Sequence, residues 1–415
     1  MTQFTPDWKL SIDGVEYTDI AISDISHEAG RSDIYQQPNP SYVQITLVAL
    51  NNQTLSFDIN DGLTLQVKNT SGSYVSIFGG NITDISTAVS ITGSVGKVIS
   101  YTLIALGSLA KLPKAITQGV LSQDEDGNQI ATLLYDLFSG SWNEVSAETQ
   151  WNTYPATTTW AHAQVQGVGE IDTPGQYTME HRSSSSDTVY NIASQIANSA
   201  FGYLYEDADG NIGYADAAHR QAYLTTYGYT EISANTAIGA GLGTVMRAGD
   251  IRNDIAINYG NNYGSQKTAT SLASIGLYGY KAETISSLIH HAADAQEIAD
   301  KYITLRAYPR EVFEQITFPI TNPELDDADR DALLGVFLGQ PISITDLPAQ
   351  INGGQFQGFV EGWNWSTAFN ELFLTLNLSP VEYSEFASRW NTVPISERWN
   401  TLSTTLDWLN ATIVA

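Results

Sequence analysis

SYVQITLVALNNQTLSFDINDGLTLQVKNTSGSYVSIFGGNITDI, residues 41–85, decides the fold class. Val43, Ile45, Leu47 and Ala49 alternate with polar positions, and Leu63, Leu65 and Val67 do the same after the Asp61-Gly62 pair. A period of two with β-branched residues reads as strands buried on one face. Asn51-Asn52, Asp61-Gly62 and Ser71-Gly72 supply the turns between them. WKLSIDGVEY (8–17) precedes this stretch and VISYTLIAL (98–106) follows it with the same pattern. Short strands at roughly ten-residue spacing predict an antiparallel barrel or sandwich.

Farther along the chain the pattern breaks and returns. Residues 111–180 are rich in Thr, Ser, Gly and Pro around one helical segment, NQIATLLYDLFSG (128–140). A second helix is expected from Ser186 as N-cap, with Val189, Ile192, Ala193, Ile196 and Ala200 as its apolar stripe and Gly202 past its end. GYLYEDADGNIGYAD then predicts a hairpin closed by Asp209-Gly210-Asn211. From about 245 a second β-region is expected: DIRNDIAINYG, REVFEQITFPIT, PISITDL, GGQFQGFVEGWNW and NELFLTLNLSP are its strands. Two helices interrupt it, one over 286–308 and one starting at Asn322-Pro323, where Glu324, Asp326 and Asp327 suit the positive end of a helix dipole. The chain is thus mainly β with α+β insertions: a β-domain over 1–110, a loop-rich insertion over 111–240, a second β-domain over 241–382 and an arm over 383–415.

Composition narrows the function. Forty-five acids against 18 bases give a formal charge of −27, and no Lys/Arg cluster is available to hold a polyanion. The absence of cysteine excludes disulfides, thiolate–zinc sites and cysteine nucleophiles. MTQFTPDWKL carries no signal-peptide pattern, and the longest apolar-rich run, 98–110, is too short and too polar to span a bilayer. These features fit a soluble protein made in a reducing compartment.

Candidate chemistry is sparse. DEDGNQ (124–129) and EDADGN (206–211) look like calcium loops, yet the twelfth position counted from Asp124 is Tyr135 and from Asp207 is Ala218, so turns are expected. DDADRD (326–331) reads as a solvated helix face, and GAGLG (239–243) as a flexible boundary without the ending of a phosphate loop. His290 and His291 are placed in the helix over 286–308, about 100° apart and unable to share a metal easily. No HExxH, GxSxG or SxxK motif occurs, so no catalytic residue, metal ligand or cofactor is assigned.

Residues 27–85 resemble the first domain of siphophage tail hub proteins, the minor tail protein or baseplate hub family. The likeness rests on Gly30-Arg31, Gln37-Pro38, Ile45 and Leu47; on Ile59, Asp61, Leu63, Leu65 and Val67; and on Phe78, Gly79, Gly80, Ile82, Thr83 and Asp84. The helix and hairpin over 187–216 resemble the middle domain of such hubs, and 310–380 resembles their second tube domain. The resemblance implies two antiparallel β-barrel tube domains bracketing an insertion. It also implies a homotrimeric ring that continues the tail tube at the virion's tail tip, made in the host bacterial cytoplasm. Implied partners are the distal tail or tail tube protein, fibre or tip proteins, and a tape-measure protein in the lumen. An acidic wall fits passage of DNA without adhesion. The alternative readings are a host-receptor or carbohydrate-binding tail protein, and, behind it, a glycosidase.

Six of nine tryptophans form two combs: Trp142, Trp151 and Trp160, and Trp390, Trp399 and Trp408, each nine residues after the last. Nine residues are two and a half helical turns and an odd number of strand positions, so neither element makes one Trp stripe. Pro155 and Pro394 favour a chain that turns between anchors. Each buried ring contributes about 2–3 kcal/mol at most. The first comb is therefore expected to anchor the insertion, and the second to dock the arm on its own subunit or a neighbour.

Overall fold

Alternation in the first hundred residues becomes seven strands: β1 (Trp8–Ile12), β2 (Val15–Tyr17), β3 (Ala21–Gly30), β4 (Asn39–Ala49), β5 (Gly62–Lys68), β6 (Tyr74–Thr92) and β7 (Gly96–Leu106). The structure is a computed structural model and describes residues 4–138, 170–237 and 243–381, except 18–19, 33, 35, 50–54, 93–95, 314 and 369–370. Both tryptophan combs, the arm over 383–415 and most of GAGLG lie outside the described residues. In β4 every second residue from Ser41 to Ala49 is buried, as the period of two requires.

The chain then forms α1 (Asp126–Phe138), α2 (Val189–Ser199), β8 (Tyr203–Glu206), β9 (Ile212–Ala215), α3 (His219–Tyr227) and β10 (Thr230–Ser233). Next come β11 (Asp254–Tyr259), β12 (Ser265–Thr270), α4 (Leu272–Tyr278), β13 (Ala282–Ser286) and α5 (Ala292–Arg306). It closes with β14 (Ile316–Pro319), α6 (Asp327–Leu334), β15 (Pro341–Thr345), β16 (Phe356–Ala368) and β17 (Glu371–Pro380).

Twelve strands share one sheet in the order β10-β15-β16-β3-β4-β7-β6-β5-β1-β2, with β17 on β16 and β14 on β17. The two β-regions meet where β3 and β16 pair antiparallel, from Gly30 opposite Gly362 to Ser26 opposite Ser366. Among the described residues this path is open. The large core under it joins Val43, Ile45, Leu65 and Phe78 from the first region to Phe313, Phe356, Trp363 and Trp365 from the second.

A second core joins Ile130 and Leu133 of α1, Ile192 and Ile196 of α2, and Ile298 and Tyr302 of α5. Ile255 and Ile257 of β11 belong to it as well. β11 therefore pairs with β12 and β13 in a separate three-stranded sheet, although its alternation was expected to serve the second β-region. A period of two shows that one face is buried and leaves the partner unspecified.

The hairpin of β8 and β9 is buried on both faces. Tyr203, Tyr205 and Ala215 enter the large core, whereas Leu204, Ile212 and Tyr214 enter the second. It is a shared wall between the two.

Several local expectations shift. Thr188, not Ser186, caps α2 by accepting from the Asn191 N–H. The segment 286–308 divides: 282–286 pairs parallel with β11, and α5 starts at Ala292. His290 thus precedes the helix, and His291 occupies its N-cap position. Asn322–Leu325 makes a turn, and Asp326 caps α6 by accepting from the Asp329 N–H at 2.8 Å. Asp126 of DEDGNQ is fully buried at the start of α1, where a surface turn was expected.

Candidate functional site: the buried junction of three segments

Glu361 has its backbone in β16 because GFVEGWNW extends a strand whose neighbours on both sides are sheet. The pairing register shifts between Val360 and Gly362, a bulge at Glu361. Its carboxylate is buried and accepts from Arg31 Nε at 2.7 Å, from Arg220 Nη1 at 2.6 Å and Nη2 at 2.8 Å, and from Ser379 Oγ at 2.5 Å. Arg31 follows β3, Arg220 lies in α3 and Ser379 in β17, so one carboxylate ties the first β-region, the insertion and the second β-region. Both guanidiniums also approach the Tyr203 ring, Arg31 at 5.2 Å and Arg220 at 4.8 Å from its centroid. Burial alone would raise the Glu361 pKa. The charges of Arg220 and Arg31, with the hydrogen bonds from Arg220 and Ser379, outweigh it and hold the carboxyl at about 2.

Gly30 makes this approach possible. It has φ +84°, and a Cβ there would stand 2.4 Å from the Glu361 carbonyl oxygen and 2.6 Å from Gly362 Cα. The Arg31 N–H donates to that same carbonyl at 2.7 Å.

Two further joints fix the insertion on the first β-region. Gln37 donates to Asn198 Oδ1 at 2.7 Å and the Gly202 carbonyl at 3.1 Å, and accepts from the Leu204 N–H at 2.9 Å. At the hairpin tip, Gly79 lies so close that an added Cβ would be 2.3 Å from the Asp209 carbonyl. Asp207 closes the tip, accepting from Asp209 N–H at 3.0 Å and Asn211 N–H at 2.8 Å. Glu206, at the end of β8, accepts from Ser41 Oγ and N–H and from the Leu109 N–H. Gly30-Arg31, Gln37 and Gly79, which carry the sequence resemblance, are therefore contact residues between segments.

The insertion has its own buried polar centre. Asp126 accepts from Tyr214 Oη at 2.6 Å and from the N–H groups of Gln176 and Tyr177 at 2.8 Å each. Asp172 pairs with His219 Nδ1 at 2.7 Å and accepts from the Asp216 N–H at 3.0 Å. Burial, with Asp172 nearby, pushes Glu170 up to about 8 and Asp216 to about 6. Burial also raises Asp207 to about 7. His290 Nδ1 meets Glu180 Oε1 at 2.8 Å. Among the described residues no group of three or more His, Cys, Asp or Glu is placed to hold a metal ion, and no helix is long and apolar enough to cross a membrane.

No sequence-family model matches the chain, and no curated protein sequence does. Its architecture does have counterparts. The tail protein from Neisseria meningitidis MC58 superposes with a TM-score of 0.57 at 9% identity, covering 92% of this chain and 98% of that one. The chain has the fold of a phage tail protein. The 43 kDa tail protein of prophage MuSo2 from Shewanella oneidensis agrees, with a TM-score of 0.53 at 10% identity over 91% of this chain and 99% of that one.

Sequence reasoning missed Arg220, Glu361, Glu206 and Asp126 as joint residues. A single acid or base among 63 carries no positional signal of its own; a charged residue inside an otherwise apolar run, as in GFVEGWNW, is the one hint available. None of the six comb tryptophans can be placed at these joints, because all lie outside the described residues.

Proposed function

We propose that the chain is the structural hub of a phage tail tip. Three copies form a ring, each contributing two tube domains, so that six β-units continue the tail tube around an acidic lumen. The first tube domain is 1–110. The second is drawn from β10 and from the chain after 312 up to 382, while β11 to α5 belong with the insertion, because Ile255, Ile257 and Ile298 share its core. The arm over 383–415 links the ring to distal tip or fibre proteins through Trp390, Trp399 and Trp408, and Trp142, Trp151 and Trp160 anchor the insertion.

The observation that carries this reading is the open sheet. Among the described residues, 84–92 of β6 pair only with β7, and β14 pairs only with β17. Apart from Asp84 that first edge is uncharged and rich in β-branched residues, and Val89 is exposed. Such an edge invites another strand. A head-to-tail contact between two different edges of successive copies forms a ring when the rotation between copies closes. Within the chain, β3 and β16 already join the two regions by edge pairing.

Absence of native cysteine makes the test direct. Cysteines scanned over 86–90 are paired with cysteines over 316–318 and oxidised. The expected product is an inter-chain ladder ending at a mass three times that of the chain, with each single-cysteine variant giving none. A monomeric mass at every concentration, with no cross-link from any pair, overturns the ring.

A further inference from the structure

A cavity of about 230 Å³ opens where the chain after β3, the turn from α2 into β8, the start of α3 and helix α5 converge. Four of the chain's 18 bases line it, Arg31, Arg220, Lys301 and Arg306, against two acids, Asp216 and Glu283. Most of these charges are answered. Glu361 pairs with Arg31 and Arg220, Glu297 holds Lys301 at 2.6 Å, and Arg252 holds Glu283 at 2.5 Å. Asp216 accepts from the Ala218 N–H at 2.8 Å.

The surplus falls on Arg31. It shares a single carboxylate with Arg220, so the cluster carries net positive charge away from water. Arg31 gives Nε to Glu361 and Nη1 to the Gln36 carbonyl at 2.9 Å. Its Nη2 donates to no described residue, although the side chain is only 5% exposed. Burial, with Arg220 beside it, pulls the Arg31 pKa below its ordinary value despite Glu361. A buried cation with unused donors calls for an anion. Much of the remaining wall is carbon, from Phe201, Ile285, Ile298, Tyr302 and Leu305. A cavity of about 150 Å³ takes benzene, so this one takes on the order of nine non-hydrogen atoms.

We propose that this cavity binds a small monocarboxylate on an aromatic or aliphatic body, its oxygens on Arg31 Nη2 and its body against Phe201, Ile298 and Tyr302. The wall selects that class. A cation would meet four bases. A dicarboxylate or phosphate ester would bring a second negative charge toward Asp216 and Glu283, and a sugar would set hydroxyl groups against carbon. The bound molecule spans Arg31 of the first β-region and α5 of the insertion. It thereby tightens a joint that Gln37 makes by direct hydrogen bonds.

The test is thermal melting of the full purified chain titrated with benzoate, benzamide, benzylamine or inorganic phosphate at constant ionic strength. Benzoate is expected to raise the melting temperature saturably. The other three are expected to need at least about tenfold higher concentration for the same shift, the margin of a charge-assisted hydrogen bond. Leu305→Trp, which fills the cavity from α5, is expected to melt like the parent alone and to lose the benzoate shift. In the parent chain, saturating benzoate is expected to slow hydrogen exchange over 292–306 and leave β1 unchanged, which locates the site even where the Trp variant fails to fold. No saturable benzoate shift, an equal shift from benzamide or phosphate, a full shift retained in folded Leu305→Trp, or unchanged exchange over 292–306 overturns the proposal.

Discussion

Replacing Glu361 by Gln keeps its shape and removes its charge, leaving Arg31 and Arg220 buried beside a neutral amide. Breaking a buried ion pair by removing one partner costs about 3–5 kcal/mol. A second route gives a similar figure: the Glu361 carboxyl is held at about 2 against an ordinary 4.5, and at about 1.4 kcal/mol per unit this is about 3 kcal/mol. Because the folded pKa is depressed, that stabilisation is present above pH 4.5 and lost as pH falls toward 2. Urea unfolding at pH 7 followed by tryptophan fluorescence reports on the junction, since Trp363 and Trp365 share β16 with Glu361. The Gln variant is expected to lose about 3–5 kcal/mol, with the first melting transition falling on the order of 10 °C. Arg31→Met, Arg220→Met and Glu361→Leu combined should return to within about 1–2 kcal/mol of the parent, because no charge is then left unpaired. A Gln variant within about 1 kcal/mol of the parent refutes the reasoning, as does a triple variant no more stable than the single.

Gly79→Ala drives a methyl into the Asp209 backbone and is expected to cost about 1–3 kcal/mol; hydrogen exchange should quicken over 203–215 and stay unchanged in β11. Asp126→Ala strands Tyr214 Oη and two backbone N–H groups, at about 1–3 kcal/mol for each one left unsatisfied. Its melting should show early loss of the insertion with the large sheet intact, and a single late transition would contradict this. Stability should also fall as pH rises from 6.5 to 8. Glu170 and Asp207, raised to about 8 and about 7, keep protons in the folded state that the unfolded chain has released. His27, held at about 3 by burial, is neutral in the folded state, whereas its unfolded imidazole is half protonated at pH 6.5 and sheds that proton by pH 8, so it opposes the fall by about 0.4 kcal/mol. Glu170→Gln should flatten the profile measured by thermal melting, and an unchanged slope would count against burial of that carboxyl.

Local periodicity made much of the fold legible. Alternation at Val43, Ile45, Leu47 and Ala49 gave β4, and the stripe through Val189, Ile192 and Ile196 gave α2, because both patterns record which side of an element meets a core. The same signal could not say which core: β11 alternates like a strand of the large sheet and packs with the insertion. The segment 286–308 looked continuous because helical periodicity spans a break that tertiary pairing imposes, where the Leu288 carbonyl accepts from the Glu180 N–H and the His290 N–H donates to the Thr178 carbonyl.

Glycines and short polar motifs lay between these limits. Gly30-Arg31, Gln37 and Gly79 stood out in the sequence as a resemblance, without a stated role. The tertiary structure supplies that role, since a missing Cβ matters only when another backbone, here Glu361 or Asp209, comes within contact distance. The sequence alone determined the β-rich class, the acidic surface and the lack of cysteine chemistry, all properties summed over residues or read from neighbours. Tertiary structure alone decided that Glu361, Arg31 and Arg220 meet, because residues 330 positions apart are brought together by sheet pairing and not by any local preference.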